Sequence, residues 1–190
     1  MARKVYGLHA RDHLPGGSDP IPFSSPGGFF EYRMDTSSLS VSDDTYTELS
    51  TYYSDENYNT ATDADYTVTL TAYGEPCIIA AAGAPASGWI IGASVIVDNA
   101  PAGSYRLSFG LEYGWTALTN ADWDTGDLGV GSDKTITVMS YVAIPGPYNP
   151  NDDDNYMLYL HFEQKTGGSV TLIDHNSSEN WSNIWGMRVF

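Results

Sequence analysis

Four histidines, one cysteine and 24 acidic residues are the groups in this chain that could hold a metal, relay a proton or attack an electrophile. His9 and His13 stand four apart, but no carboxylate or cysteine lies beside them in obvious ligand spacing. A metal centre there would need histidines from three chains to meet on a symmetry axis, so the expectation is no metal and no cofactor. Cys77 lies in the apolar run Pro76-Cys77-Ile78-Ile79-Ala80, which predicts a buried, inert thiol rather than a thiolate. As the single cysteine, it has no partner in the chain for a disulfide. Asp122-Trp123-Asp124-Thr125-Gly126-Asp127 and Asn149-Pro150-Asn151-Asp152-Asp153-Asp154-Asn155 superficially suggest calcium. Neither fits the EF-hand loop, because Gly126 falls where an Asp or Asn ligand belongs and no glutamate closes the loop. Solvated turns are the better reading, although two such loops could bind calcium if they converged. A glycosidase needs two carboxylates across a groove, and the many acids here single out no pair. The G-x-S-x-G, H-E-x-x-H, P-loop and G-x-G-x-x-G patterns are absent. His161 and His175 fall on or beside predicted strands, where a surface or hydrogen-bonded histidine is the common case. The expectation is a protein that is not an enzyme.

The most informative segment is His9-Ala10-Arg11-Asp12-His13-Leu14-Pro15-Gly16-Gly17-Ser18-Asp19-Pro20-Ile21-Pro22. Gly16 and Gly17 let the backbone turn sharply or press against a neighbour. Asp19 before Pro20 favours a side-chain-capped turn and an extended backbone. His9 and His13 are planar groups able to hydrogen-bond the carbonyls of another protein. The string H-x-x-x-H-x-x-G-G-x-D-P resembles a short element near the N-termini of bacteriophage tail and fibre-type proteins, where a trimeric β domain often follows. That resemblance covers about 14 residues and implies a virion structural protein whose attachment residues are His9, Arg11, His13, Gly16, Gly17, Asp19 and Pro20.

Residues 1–28 also hold Pro22, Pro26, Gly27 and Gly28, a density of breakers that excludes a helix and interrupts any strand. They read as an extended docking arm, with residues 29–190 as one domain. A chain of 190 residues can bury enough surface for a core without a metal or a disulfide. The net charge is −16, yet Arg3, Lys4 and Arg11 against Asp12 make residues 1–14 basic, so the rest is more acidic still. Such a body repels phosphate backbones, which argues against nucleic-acid binding, and its acidity otherwise serves solubility. No run approaches the length of a membrane span, and the first residues lack the apolar stretch of a signal peptide. Synthesis in a host bacterial cytoplasm and residence in a virion are expected.

From Phe29 onward the hydrophobic period is two. Apolar and polar residues alternate over 66–73, 105–113, 135–142, 156–162 and 185–189, with shorter candidates at 29–33, 46–52, 76–82, 88–97 and 169–173. Turn clusters separate them at 98–103, 124–127, 145–147 and 165–168. No segment of helical length shows a 3.6-residue period. About nine or ten antiparallel strands closing into a jelly-roll-like β-sandwich are predicted. One strand departs from the pattern: both faces of Trp89-Ile90-Ile91-Gly92-Ala93-Ser94-Val95-Ile96-Val97 are largely apolar. Either it is central and covered on both sides, or its second face meets another subunit.

Trp115, Trp123, Tyr148 and Trp181 fall in or beside predicted loops. Loop aromatics can stack on the sugars of a host surface glycan, or they can plug the ends of a sandwich. The expected partners are therefore other virion proteins, further copies of the chain in a homotrimer, and a host glycan, with neither nucleic acid nor membrane. The competing reading is a free carbohydrate-binding module, for which a 28-residue leader has no use.

Overall fold

A computed structural model describes residues 28–113, 116–128, 132–149, 154–175 and 180–189, with 116–128 described at the level of the backbone. Where apolar and polar residues alternate, the chain forms strand. The predicted runs become β1 (Phe29–Arg33), β5 (Tyr66–Leu70), β6 (Pro76–Ala80), β7 (Ser87–Val97), β8 (Gly103–Tyr113), β10 (Lys134–Ile144), β11 (Asp154–Lys165), β12 (Val170–Ile173) and β13 (Asn183–Arg188). The candidate at 46–52 divides into β3 (Thr47–Glu48) and a 3-10 turn at Ser50–Tyr52. Three strands were not foreseen: β2 (Ser38–Val41), β4 (Asp55–Asn59) and β9 (Thr116–Leu128).

All pairings are antiparallel and form two sheets. In the first, β10 runs along the full length of one edge of β7. The other edge of β7 is shared, with β13 covering Trp89 to Ser94 and β12 covering Ile96 and Val97. Beyond β13 lie β1 and β4, and beyond β12 lies β2. The second sheet runs β5-β6-β11-β8-β9, with β3 also paired to β11. The fold is thus an all-β, jelly-roll-like sandwich. No helix among the described residues is long and apolar enough to cross a membrane.

The core fills the space between the sheets. Trp89, Phe30, Phe109, Phe162, Leu107, Leu158 and Leu160 are essentially without solvent contact, each contributing about 1.5–3 kcal/mol of burial. Tyrosines share this interior because their hydroxyls reach its margins. Tyr66 donates to the Pro85 carbonyl at 2.5 Å, Tyr105 to Pro101 at 2.6 Å and Tyr156 to Gly146 at 2.5 Å. Burial pushes the Tyr66 and Tyr156 hydroxyls up to about 12, so both remain neutral donors. The tyrosine-rich composition is therefore in part a core composition, the rings packing inward while the hydroxyls hold the connections.

Two sequence expectations need correction, and the alternative left open for the strand at 89–97 is decided. The alternation at 66–73 ends at Leu70, because Thr71 to Glu75 form a turn closed by a hydrogen bond from Gly74 N–H to the Thr71 carbonyl, and Tyr73 is exposed. The cluster Asp122 to Asp127, including Trp123 and the predicted turn at 124–127, lies within β9 and pairs with β8 except at a register shift over Thr125 and Gly126. Backbone pairing there overrides side-chain preference. Of the two alternatives for β7, the strand is central, and every residue in it but Ile90 is buried. Trp89, Ile91, Ala93, Val95 and Val97 enter the core, while Ile96 on the outer face is also fully buried. At Gly92 on that face, a Cβ would come within 2.6 Å of the Trp185 indole, so only glycine lets the ring lie across the strand.

Candidate binding surfaces

The outer face of the second sheet carries a depression of about 310 Å³. Its floor follows from the period of β8: Leu107, Phe109 and Leu111 point into the core, so Arg106, Ser108, Gly110 and Glu112 face outward. Ser108 and Gly110 are small and leave a trough. On β11 the register sets His161 opposite Ser108 and Tyr159 opposite Gly110. Tyr46, just before β3, reaches over the same face. Its ring stacks on His161 with centroids 4.4 Å apart and planes 17° from parallel. Tyr159 continues the series on the other side of His161, at 6.4 Å and 9°. Three near-parallel rings thus stand along one bank of the trough.

Charge around the trough is mixed. Arg106 sits 4.0 Å from Glu163, which also meets Lys165 at 3.4 Å. Burial lowers the pKa of His161 against the opposing pull of Glu48 and Glu112, which favours a neutral ring with one donor and one acceptor nitrogen. Tyr159 is raised, first by burial and then by Glu75, Glu112 and Glu48, so its hydroxyl stays protonated.

The residues singled out from the sequence are distributed otherwise. His9, Arg11, His13, Gly16, Gly17, Asp19, Pro20 and Trp115 lie outside the described residues. Trp123 is placed by its backbone in β9 opposite Leu107. Tyr148 stacks on Tyr113 at 4.6 Å and 12° and keeps 65% of its surface exposed. Asp154 fixes that pair, accepting from the Tyr113 hydroxyl at 3.0 Å and from the Tyr148 N–H. Trp181 is half-buried, with the Arg33 guanidinium 4.0 Å from its ring centre and His175 stacked at 4.8 Å. Of the four loop aromatics, Tyr148 therefore presents a ring outward and Trp181 is engaged by its own neighbours. Cys77 is buried, and burial pushes its thiol up to about 11, which leaves it protonated. Among the described residues, no three His, Cys, Asp or Glu side chains converge as a metal site.

Sequence reasoning missed Tyr46, Tyr159 and Arg106 as members of one surface. The available signal was the outward row Met157, Tyr159 and His161 on β11, where a wet face would normally carry small polar residues.

The class defined by these observations is a two-sheet antiparallel sandwich with an aromatic-walled trough on one sheet. No family model matches the chain, and no curated protein matches it. Among solved structures the chain is similar to the PRD1 vertex protein P5, at 14% identity over 88% of this chain and 100% of that one, with a TM-score of 0.49. It is similar also to Eiger TNF from S. frugiperda, at 12% identity over 87% and 93%, with a TM-score of 0.44. A third is the C-terminal CBM6 of LamC, a marine laminarinase from Zobellia galactanivorans, at 16% identity over 80% and 99%, with a TM-score of 0.25.

Proposed function

We propose that this chain is a non-enzymatic structural component of a bacteriophage particle, docked by residues 1–28 and displaying residues 29–190 as a β-sandwich. It serves as a tail-associated fibre, a minor tail protein or a head decoration, made in the host cytoplasm and resident in the virion. The observation that carries this reading is the segment His9 to Pro20, with its paired histidines, paired glycines and Asp-Pro in register. Two further features support it. In sequence the segment precedes β1, the first described strand. Residues 1–14, which overlap it, are also basic beside a strongly acidic body, so the two suit different surroundings.

Deleting residues 1–26 should leave thermal unfolding of the domain nearly unchanged while abolishing incorporation into the particle. Changing both His9 and His13 to Ala should weaken incorporation, and Gly17→Val should weaken it more by restricting the turn. An arm-deleted protein that incorporates normally would make the arm a passive leader. One that no longer folds would make it part of the sandwich.

A further inference from the structure

We infer that the trough on the outer face of the second sheet binds a neutral oligosaccharide, lying along β8 beside the ring bank of Tyr46, His161 and Tyr159. The floor is small because Ser108 and Gly110 occupy two successive outward positions. From Arg106 to Glu112 the trough extends about 20 Å along β8, which suits a narrow chain lying lengthwise.

The bordering chemistry matches a ligand that is flat, amphipathic and rich in hydroxyls. Tyr46 is 58% exposed and offers apolar ring surface at the end of the stack. Donors and acceptors alternate around it: the Tyr159 hydroxyl, a neutral His161, the Arg106 guanidinium and the Glu112 carboxylate. Such an arrangement of apolar surface with a few placed polar groups is what small-ligand sites require. Charge selects the ligand further. Glu48, Glu112 and Glu163 outnumber Arg106 and Lys165 on this face. A sulfated, phosphorylated or uronic-acid chain would meet repulsion here, whereas a neutral chain would not.

This surface differs from the loop aromatics that the sequence suggested for glycan contact. The inference takes from the proposed function only that the domain is displayed to the outside. Binding is measured on isolated full-length protein, so its failure is distinct from failure of arm-mediated incorporation.

The test is calorimetric titration with maltohexaose, cellohexaose and chitohexaose, beside an alginate hexamer as anionic probe. At least one neutral hexamer should bind and the alginate should not. Tyr46→Ala and Tyr159→Ala should each weaken that binding about tenfold or more, at unchanged melting temperature. Gly110→Leu, which fills the floor, should abolish it, whereas Tyr58→Ala on the other sheet should leave it unaltered. The inference is overturned if no neutral hexamer binds, if alginate binds best, or if binding survives both tyrosine changes.

Discussion

Ser182 is fully buried at the point where β12 and β13 divide one edge of β7. Its hydroxyl accepts from the Ile96 N–H at 3.0 Å and donates to the Ile173 carbonyl at 2.6 Å. Its backbone N–H donates to the Asp174 carbonyl at 2.7 Å, and its carbonyl accepts from Met34 N–H at 3.0 Å. One residue thus joins β12, the start of β13, β7 and the end of β1. Ser182→Ala keeps both backbone bonds and removes both hydroxyl bonds. The Ile96 amide would then be buried without a partner, at about 1–3 kcal/mol, while the less buried Ile173 carbonyl loses an ordinary bond of about 1 kcal/mol. A total near 3 kcal/mol is expected, equivalent to a fall of about 6–12 °C in melting temperature for a domain of this size. Urea unfolding should show a lower midpoint with an unchanged slope, and the Ile96 amide should lose hydrogen-exchange protection. Thr45→Ala, which removes an exposed hydroxyl bond to the Asp43 carbonyl, is the matched control and should cost under about 0.5 kcal/mol. A Ser182→Ala protein as stable as that control would refute the view that this hydroxyl completes the β7 edge.

Two further outcomes are expected. Asp63 is held down to about 2 from 3.8, mainly by its hydrogen bond from Arg188, helped by the Tyr66 and Asp65 N–H groups and opposed by burial. Because its folded pKa is depressed, its contribution is complete above about pH 4 and disappears as the pH falls through 2. The full shift corresponds to about 2.4 kcal/mol, but Asp63 is 40% exposed and screening reduces this to about 1 kcal/mol. Asp63→Asn should therefore be destabilised at pH 7 and converge on the parent near pH 2 in chemical denaturation; a constant difference across that range would count against the pair. The domain should also form a homotrimer through the outer face of the first sheet, where Met139 and Tyr141 are exposed beside Ile90 and Met187. Light scattering should report three chains, and Met139→Asp with Tyr141→Asp should release monomers. A 20.7 kDa species at micromolar concentration, with nothing larger on the particle, would exclude the trimer.

The strands that sequence reading located are those whose alternation is imposed by a core on one side, such as β8 and β11. The missed strands lack that imprint for separate reasons. β4 reads Asp-Glu-Asn-Tyr-Asn and is almost wholly exposed at the end of the first sheet, so its order comes from pairing with β1 rather than from burial. β9 carries Asp-Thr-Gly-Asp, a turn signature, yet β8 pairs with Asp124 and Asp127 on either side of a register shift at Thr125 and Gly126, so the chain continues as strand. The trough was illegible for a related reason. Alternation identifies which residues of β8 and β11 face outward, but not that Tyr159 lies opposite Gly110 and His161 opposite Ser108. Register is a long-range property, and Tyr46 joins the site only through the pairing of β3 with β11.

The tyrosine hydroxyls at the core margin have a consequence for how this protein can change. Tyr66 and Tyr105 grip the connections at Pro85 and Pro101 through main-chain oxygens, an atom every amino acid supplies. The side chains of those connections are therefore not what holds them in place. Selection can rewrite the rims of the sandwich, altering what they touch, while the same rings inside keep the loops at the same positions. Gly146 is the exception, since its φ of +88° and a Cβ position 2.5 Å from the Ala84 carbonyl both demand glycine. Variation tolerated at the first two anchors and refused at the third is the pattern that random mutagenesis of this domain should return.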